Sequence, residues 1–206
     1  MERLDFKKEY RDLYLPKKAP SKIHVPPILF LAVDGCGAPE GESYQQSVQM
    51  LYTLSFTIKM SKMSDNAPEG YFEYVVPPLE GLWENENADR CQWRWTSMIR
   101  QPDFVTGAVL EWARETAARK RGPLPFGRVR LVTLNEGECV QAMHVGPYSE
   151  ESAALARIQA YLEQNGLASR IGEHGARHHE IYLGDPRRVA PDRLRTVLRI
   201  PVRPNA

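Results

Sequence analysis

Two glutamates sit in surroundings unusual for a charged side chain. Glu73 lies within YFEYVV (Tyr71–Val76) and Glu180 within HHEIYL (His178–Leu183). Aromatic and β-branched content gives both segments the composition of strands, and alternate residues of a strand share a face. Parity groups Tyr71 with Glu73 against Phe72, Tyr74 and Val76. It likewise groups His178, Glu180 and Tyr182 against His179, Ile181 and Leu183. Each Glu therefore stands two residues from a Tyr, on the face expected to lie opposite the helix-packed one. A carboxylate partly desolvated among rings can act as a general base or as counter-ion to a cationic ligand. The alternative is an ordinary solvated sheet face. Trp83, Trp93, Trp95, Trp112, Tyr148 and Tyr182 supply further rings for a pocket. Trp93 and Trp95 share one strand face, as core or as a stacking wall, core being the commoner use of such a pair.

Other chemistries fit poorly. Gly35-Cys36-Gly37 precedes a helix as a dinucleotide fingerprint would, but the next glycine, Gly41, comes one residue late, and Glu40 and Glu42 would repel a pyrophosphate. A glycine turn explains the segment. His178 and His179 are strand neighbours pointing to opposite faces and cannot share a metal ion. Cys139 and His144, five residues apart, also face opposite ways. No Gly-x-Ser-x-Gly elbow is present. Neither a metal nor a cofactor is expected.

The elements that must position these residues follow from pattern. Residues 1–27 are polar and Pro-punctuated and read as an extension that wraps the fold; ILFLAV (Ile28–Val33) reads as a buried strand. Ser43 and Gln46 have capping-box spacing ahead of a helix to about Met60, with Tyr44, Val48, Leu51, Ser55 and Ile58 on one face. Tyr71–Val76 and Cys91–Ile99 follow as strands, separated by a polar, acidic stretch. A helical element from Pro102 ends at Gly122. RVRLVTL and ECVQAMHV read as a hairpin about Asn135-Glu136-Gly137, and Ser149 as the cap of a second amphipathic helix carrying Leu155, Ile158 and Leu162. EIYL and RTVLRIPV close the chain as strands.

Strand–helix–strand–strand thus occurs twice, with 30 residues from Ser43 to Glu73 and 31 from Ser149 to Glu180. The expected fold is α+β: duplicated strand–helix–strand–strand modules with pseudo-twofold symmetry and a ligand cleft between them. The boundaries are 1–27 extension, 28–101 first module, 102–122 connecting helix and 123–206 second module.

Composition sets the class. The 206 residues are 42% apolar and 26% charged, ordinary for a folded globule. Lys+Arg number 27 and Asp+Glu 26, a net charge of +1, so no bulk field recruits nucleic acid or an anionic membrane. The basic run Arg187–Arg203 reads as a solvated face. No window approaches 18 consecutive apolar residues, the start lacks an apolar signal core, and three dispersed cysteines suit a reducing compartment. The expectation is a cytoplasmic protein with no nucleic-acid or membrane partner, its oligomeric state unspecified.

These segments resemble the GyrI-like small-molecule-binding proteins, relatives of the effector domains of multidrug-sensing transcription regulators. The resemblance rests on KKEYRDLYLPK (Lys7–Lys17), the Tyr44–Met60 helix, PPLEGLW (Pro77–Trp83) and WTSMIRQPDFVT (Trp95–Thr106), and further on EGECVQAMHVGPYSEE (Glu136–Glu151) and HHEIYLGDPRR (His178–Arg188). It spans nearly the whole chain. It implies paired modules, bulky, often planar hydrophobic or cationic ligands held by aromatic walls, and an acidic group, which Glu180 matches. The candidate ligand contacts are Trp83, Trp95, Tyr71, Tyr182, Phe104, Met98 and His144. No helix-turn-helix region accompanies the match, so the chain resembles the stand-alone form. Some such members hydrolyse the cyclopropane of duocarmycin-type DNA alkylators. Glu84 stands where a second aromatic after Trp83 is expected.

Three functions follow as expectations. The first is a detoxifying hydrolase in which Glu180, aided by Glu73, activates water while Tyr148 or Tyr182 faces the oxygen that gains charge. The second is a sequestering or sensing module with Glu180 as counter-ion to lipophilic cations. The third is a protein-interaction role, such as inhibition of a DNA-processing enzyme, without a ligand-sized cavity.

Overall fold

The computed structural model describes residues 3–63, 67–84, 89–122 and 124–205. In chain order the elements are α1 (Phe6–Glu9), α2 (Arg11–Tyr14), β1 (Ser21–Val25), β2 (Ile28–Cys36), α3 (Glu42–Lys59), β3 (Leu79–Glu84) and β4 (Arg94–Arg100). They continue with α4 (Gly107–Arg121), β5 (Arg130–Leu134), β6 (Gly137–Val145), α5 (Ser152–Gln164), β7 (Leu167–Ser169), β8 (His178–Tyr182) and β9 (Arg195–Pro204). The fold is α+β with antiparallel strand pairing. The chain divides into two compact units, one of Met1–Glu9, Ile28–Pro77 and Asn85–Leu134, the other of Tyr10–Pro27, Pro78–Glu84 and Asn135–Ala206.

In the first unit the apolar run of β2 lies between β4 and β5, which explains its near-continuous burial. Helix α3 buries Tyr44, Met50, Leu51, Leu54 and Ile58 along one side. Its N-cap is the extended Gly41 with no side-chain cap, so Ser43 falls inside the first turn and the expected capping box does not form. Helix α4 begins at Gly107, where Thr106 accepts a hydrogen bond from the Val109 N–H, five residues after the Pro102 start expected from sequence. The strand expected from Cys91 starts at Arg94. Part of the acidic stretch before it, residues 85–88, lies outside the described residues.

The Tyr71–Val76 strand does not form. Among the described residues its one pairing is an isolated parallel bridge, Leu4 to Tyr74, with Leu4 N–H donating to Glu73 O and Val75 N–H to Leu4 O. Composition favoured a strand there, but no ladder continues the bridge, and Pro77-Pro78 removes two donors downstream.

In the second unit β6 pairs with β1 and β9, β9 with β8 and the short β7, and β8 with β3. The Asn135-Glu136-Gly137 turn therefore does not close a hairpin: β5 pairs with β2, and β6 with β1 and β9. A turn fixes strand partners only when both strands find each other the nearest ladder, and here each has a better-matched neighbour. Helix α5 starts at Ser152 with Glu151 as N-cap, after a single 3-10 turn over Tyr148–Glu150, so Ser149 is not the cap. Ala154, Ile158 and Leu162 of α5 pack on Val140, Ala142, Leu198, Ile200 and Val202. Leaving aside the short β7, the order strand–helix–strand–strand recurs as β2-α3-β3-β4 and β6-α5-β8-β9, with the second strands of the two repeats, β3 and β8, paired to each other.

Residues 10–27 are part of this second core. Leu13 and Tyr14 are buried, and β1 extends the ladder through β6. No described helix is long and apolar enough to cross a membrane.

Candidate functional site

Register places the site residues in two rows across the second unit. Ala142, Leu198, Glu180 and Gly81 form one row over β6, β9, β8 and β3, and His144, Thr196, Tyr182 and Leu79 form the next. Because Leu198 and Ala142 carry α5, Glu180 shares the helix-packed face, contrary to the expectation that it lies opposite. A parity count along one strand says which residues share a face but not which face a helix covers.

Glu180 is 7% exposed. Tyr182 Oη donates to its Oε2 at 2.6 Å, and Trp83 Nε1–H donates to Tyr182 Oη at 2.8 Å. His178 Nδ1 lies 3.8 Å from Glu180 Oε1. The Tyr148 ring meets Tyr182 edge-on with centroids 5.8 Å apart and remains 39% exposed. Burial, reinforced by Glu151, Glu180 and Asp185, pushes the Tyr148 phenol up to about 12, so it stays a proton donor at neutral pH. His144 is buried, its Nε2–H donating to the Pro147 carbonyl at 3.0 Å. His144 also lines a hollow of about 530 Å³ with Met143, Glu150 and Arg157.

The opposite face of the same strands carries a buried ionic cluster that sequence reading missed. His179 lies between Glu80 Oε2 at 2.9 Å and Glu136 Oε2 at 3.0 Å. Arg199 reaches Glu136, both contacts to Gln141 Oε1 and the Leu13 carbonyl, and Tyr14 Oη donates to Glu80 at 3.2 Å. Burial alone would lower the His179 pKa, but the charges and hydrogen bonds of Glu136 and Glu80 outweigh it and hold it up at about 9. Burial likewise opposes charge on Glu136, yet His179 and Arg199 hold it down at about 2. The segment around α2 covers this face: Gln141 Nε2–H donates to Asp12 O, and Arg199 to Leu13 O.

The other sequence candidates belong to the first unit. Glu73 is paired with Lys62 in irregular backbone and Tyr71 donates to the Lys59 carbonyl. Phe104 packs with Tyr71, Phe72 and Tyr74 in an aromatic cluster. Trp95 is 1% exposed, edge-on to Tyr44, with Nε1–H on Gly37 O, and Met98 is equally buried. Trp83, Tyr148, Tyr182, His144 and Glu180 are thus brought together in one unit. The added residues are His178, Gly81 and the cluster beneath. Strand parity had already set His178 on the face of Glu180 and Tyr182 without marking it as a site residue, and the alternation of LEGLW could have marked β3 as a strand bearing Glu80 and Gly81.

Residues 18–203 match the model of the GyrI-like small molecule binding domain. The chain belongs to this family. A crystal structure described as a hydrolase from Listeria innocua is 50% identical, covering 98% of this chain and 100% of that one at a TM-score of 0.92. Another Listeria innocua structure, of an uncharacterized conserved protein, is 51% identical over 98% of this chain and 100% of that one, at 0.93. The C-terminal domain of EcmrR shares the fold alone, at 12% identity over 90% of this chain and 97% of that one and a TM-score of 0.54. Comparison with curated proteins gave no match. As a GyrI-like domain the chain is a small-molecule-binding protein.

Proposed function

We propose that this protein binds bulky, planar, hydrophobic molecules over Glu180 and hydrolyses those carrying an activated cyclopropane, as a detoxifying step. The observation that carries the reading is the buried carboxylate of Glu180, held by the Tyr182 hydroxyl beneath aromatic rings. The 50% identity to a Listeria innocua protein described as a hydrolase supports an enzyme over a pure binder.

In a spirocyclopropane conjugated to a carbonyl, attack at the unsubstituted ring carbon breaks one C–C bond and sends its electron pair to the carbonyl oxygen. Glu180 takes a proton from water as the new C–O bond forms. The oxygen that gains charge accepts a hydrogen bond from Tyr148, whose proton is available at neutral pH. The proton then passes from Glu180 to that oxygen, and the net change is addition of one water. Ring strain supplies much of the driving force, so one base and one donor suffice.

The test is incubation of the pure protein with a spirocyclopropane alkylator, following the ring-opened product by mass spectrometry. Multiple turnover is expected, lost in Glu180→Gln while binding persists. Equal loss of binding and turnover would overturn the base assignment. Tight binding without product would leave the second reading, a sequestering module with Glu180 as counter-ion, favoured by the same buried carboxylate. In that case Glu180→Gln weakens lipophilic cations much more than neutral ligands.

A further inference from the structure

Trp83 and Tyr182 are not direct cross-strand neighbours. Trp83 pairs with His178 and Leu79 with Tyr182, so the two rings stand on either side of the Gly81–Glu180 pair. They nonetheless touch, Nε1 to Oη at 2.8 Å, by leaning along their strands until their polar tips meet over Gly81. A Cβ at Gly81 would lie 2.8 Å from Trp83 Nε1, closer than such a carbon approaches, and 3.0 Å from Tyr182 Oη, tight enough that the neighbour must give way. Gly81 has no positive φ among those recorded for the chain, so its backbone does not require glycine; the space above it does.

Resting on the function proposed above, we propose that Gly81 is a positioning residue of the site, its missing side chain being the clearing through which Trp83 and Tyr182 lock the Glu180 carboxylate. A phenol has one proton and an indole N–H only donates. The Trp83 N–H fills a lone pair of Tyr182 Oη and turns its single proton onto Glu180 Oε2. Tyr182 is therefore committed to Glu180 and is not the donor to the reacting oxygen, which leaves that role to Tyr148. The chain Trp83–Tyr182–Glu180 fixes one carboxylate rotamer across three side chains of two adjacent strands. Any group at position 81 pushes the tips apart and frees the carboxylate to swing.

The test follows the Trp83 indole N–H in a nitrogen–proton NMR spectrum of the full chain, assigned by its loss in Trp83→Phe. Gly81→Ala and Tyr182→Phe are each expected to move it upfield. Turnover of the spirocyclopropane alkylator is expected to fall about 10²-fold in kcat in each, the loss typical of a misplaced group, with KM changing far less. In the double variant Gly81→Ala/Trp83→Phe the added methyl costs less than it does in the wild-type background, since the closer of the two atoms it meets is gone and the tip of Tyr182 is free to give way. An unmoved indole resonance in a folded Gly81→Ala overturns the proposal, as does full additivity in the double variant. If Gly81→Ala fails to fold, Tyr182→Phe with unmoved resonance and unchanged kcat overturns it instead. Wild-type protein without turnover defeats the proposed hydrolase; the indole resonance still decides the role of Gly81.

Discussion

The His179 imidazole and the Glu180 carboxylate are consecutive on β8 and face opposite sides of the sheet, His179 into the Glu80–Glu136 pair and Glu180 onto Tyr182. One strand thus carries a structural charge and the proposed working charge back to back. The cluster behind pins β3, β8 and β9 to the α2 segment and so fixes where Glu180 stands.

Stability should depend on pH through this cluster. The groups facing His179 are Glu80 from β3, Glu136 from the turn before β6 and Arg199 from β9, with Tyr14 and Gln141 completing the cluster. The folded His179 pKa is raised to about 9, so its contribution is full below the unfolded value of about 6.5 and is lost as pH rises through 9. Glu136 is lowered to about 2, so its contribution is full above the unfolded value of about 4.5 and is lost as pH falls toward 2. The melting temperature is expected to be highest between those unfolded values and to fall on both sides. His179→Gln should flatten the alkaline limb and, because His179 is one of the two cations that hold Glu136 down, shrink the acid limb to the part that Arg199 supports. An alkaline limb unchanged in that variant would refute the assignment.

Arg199→Met should destabilise far more than a surface arginine change. It leaves Glu136, Gln141 and the Leu13 carbonyl without their guanidinium in a site 1% exposed. Breaking a buried ion pair from one side costs roughly 3–5 kcal/mol, against about 0.5 kcal/mol for exposed Arg187→Ala. Urea denaturation of the two variants gives the comparison. Equal midpoints would mean that the buried cluster contributes no more than a surface pair.

Much of the architecture was legible because it rests on local periodicity. The stripe from Tyr44 to Ile58 and the one from Leu155 to Leu162 are the buried faces of α3 and α5. What failed was non-local. Counting 30 residues from a helix start chose Glu73 as the counterpart of Glu180, whereas the strand paired to β8 carries Glu80, pointing to the other face. In LEGLW the apolar residues Leu79, Leu82 and Trp83, interrupted by Glu80 and Gly81, hide a strand whose glycine is needed for space. Glu136 looked like a turn residue and is a buried anion, because its partners His179 and Arg199 lie 43 and 63 residues away. Spacing in one strand reveals parity; burial is set by what distant segments cover.

Trp95 should behave as core. Its ring lies directly over Gly35, so a methyl there would overlap the ring carbons. Gly35→Ala is expected to cost about 1–3 kcal/mol through overpacking and to shift Trp95 emission. The expected effect on ligand affinity, measured at a temperature where the variant is folded, is none. A large affinity loss in folded Gly35→Ala would return Trp95 to the ligand wall.

Tyr148 and Tyr182 should separate kinetically. Tyr148 is the donor proposed for the reacting oxygen, and loss of one such donor costs about 10²–10³-fold in kcat. Tyr148→Phe is therefore expected to lower kcat in that range with the Trp83 indole resonance unmoved, whereas Tyr182→Phe moves the resonance as well. Since burial pushes the Tyr148 phenol to about 12, its ionisation sets no alkaline limb at pH 8 or 9. A kcat profile in wild type and Tyr148→Phe checks this. A kcat that rises through pH 9 in wild type and loses that rise in Tyr148→Phe would mean the phenolate works as a base, and the roles assigned to Tyr148 and Glu180 would have to be exchanged.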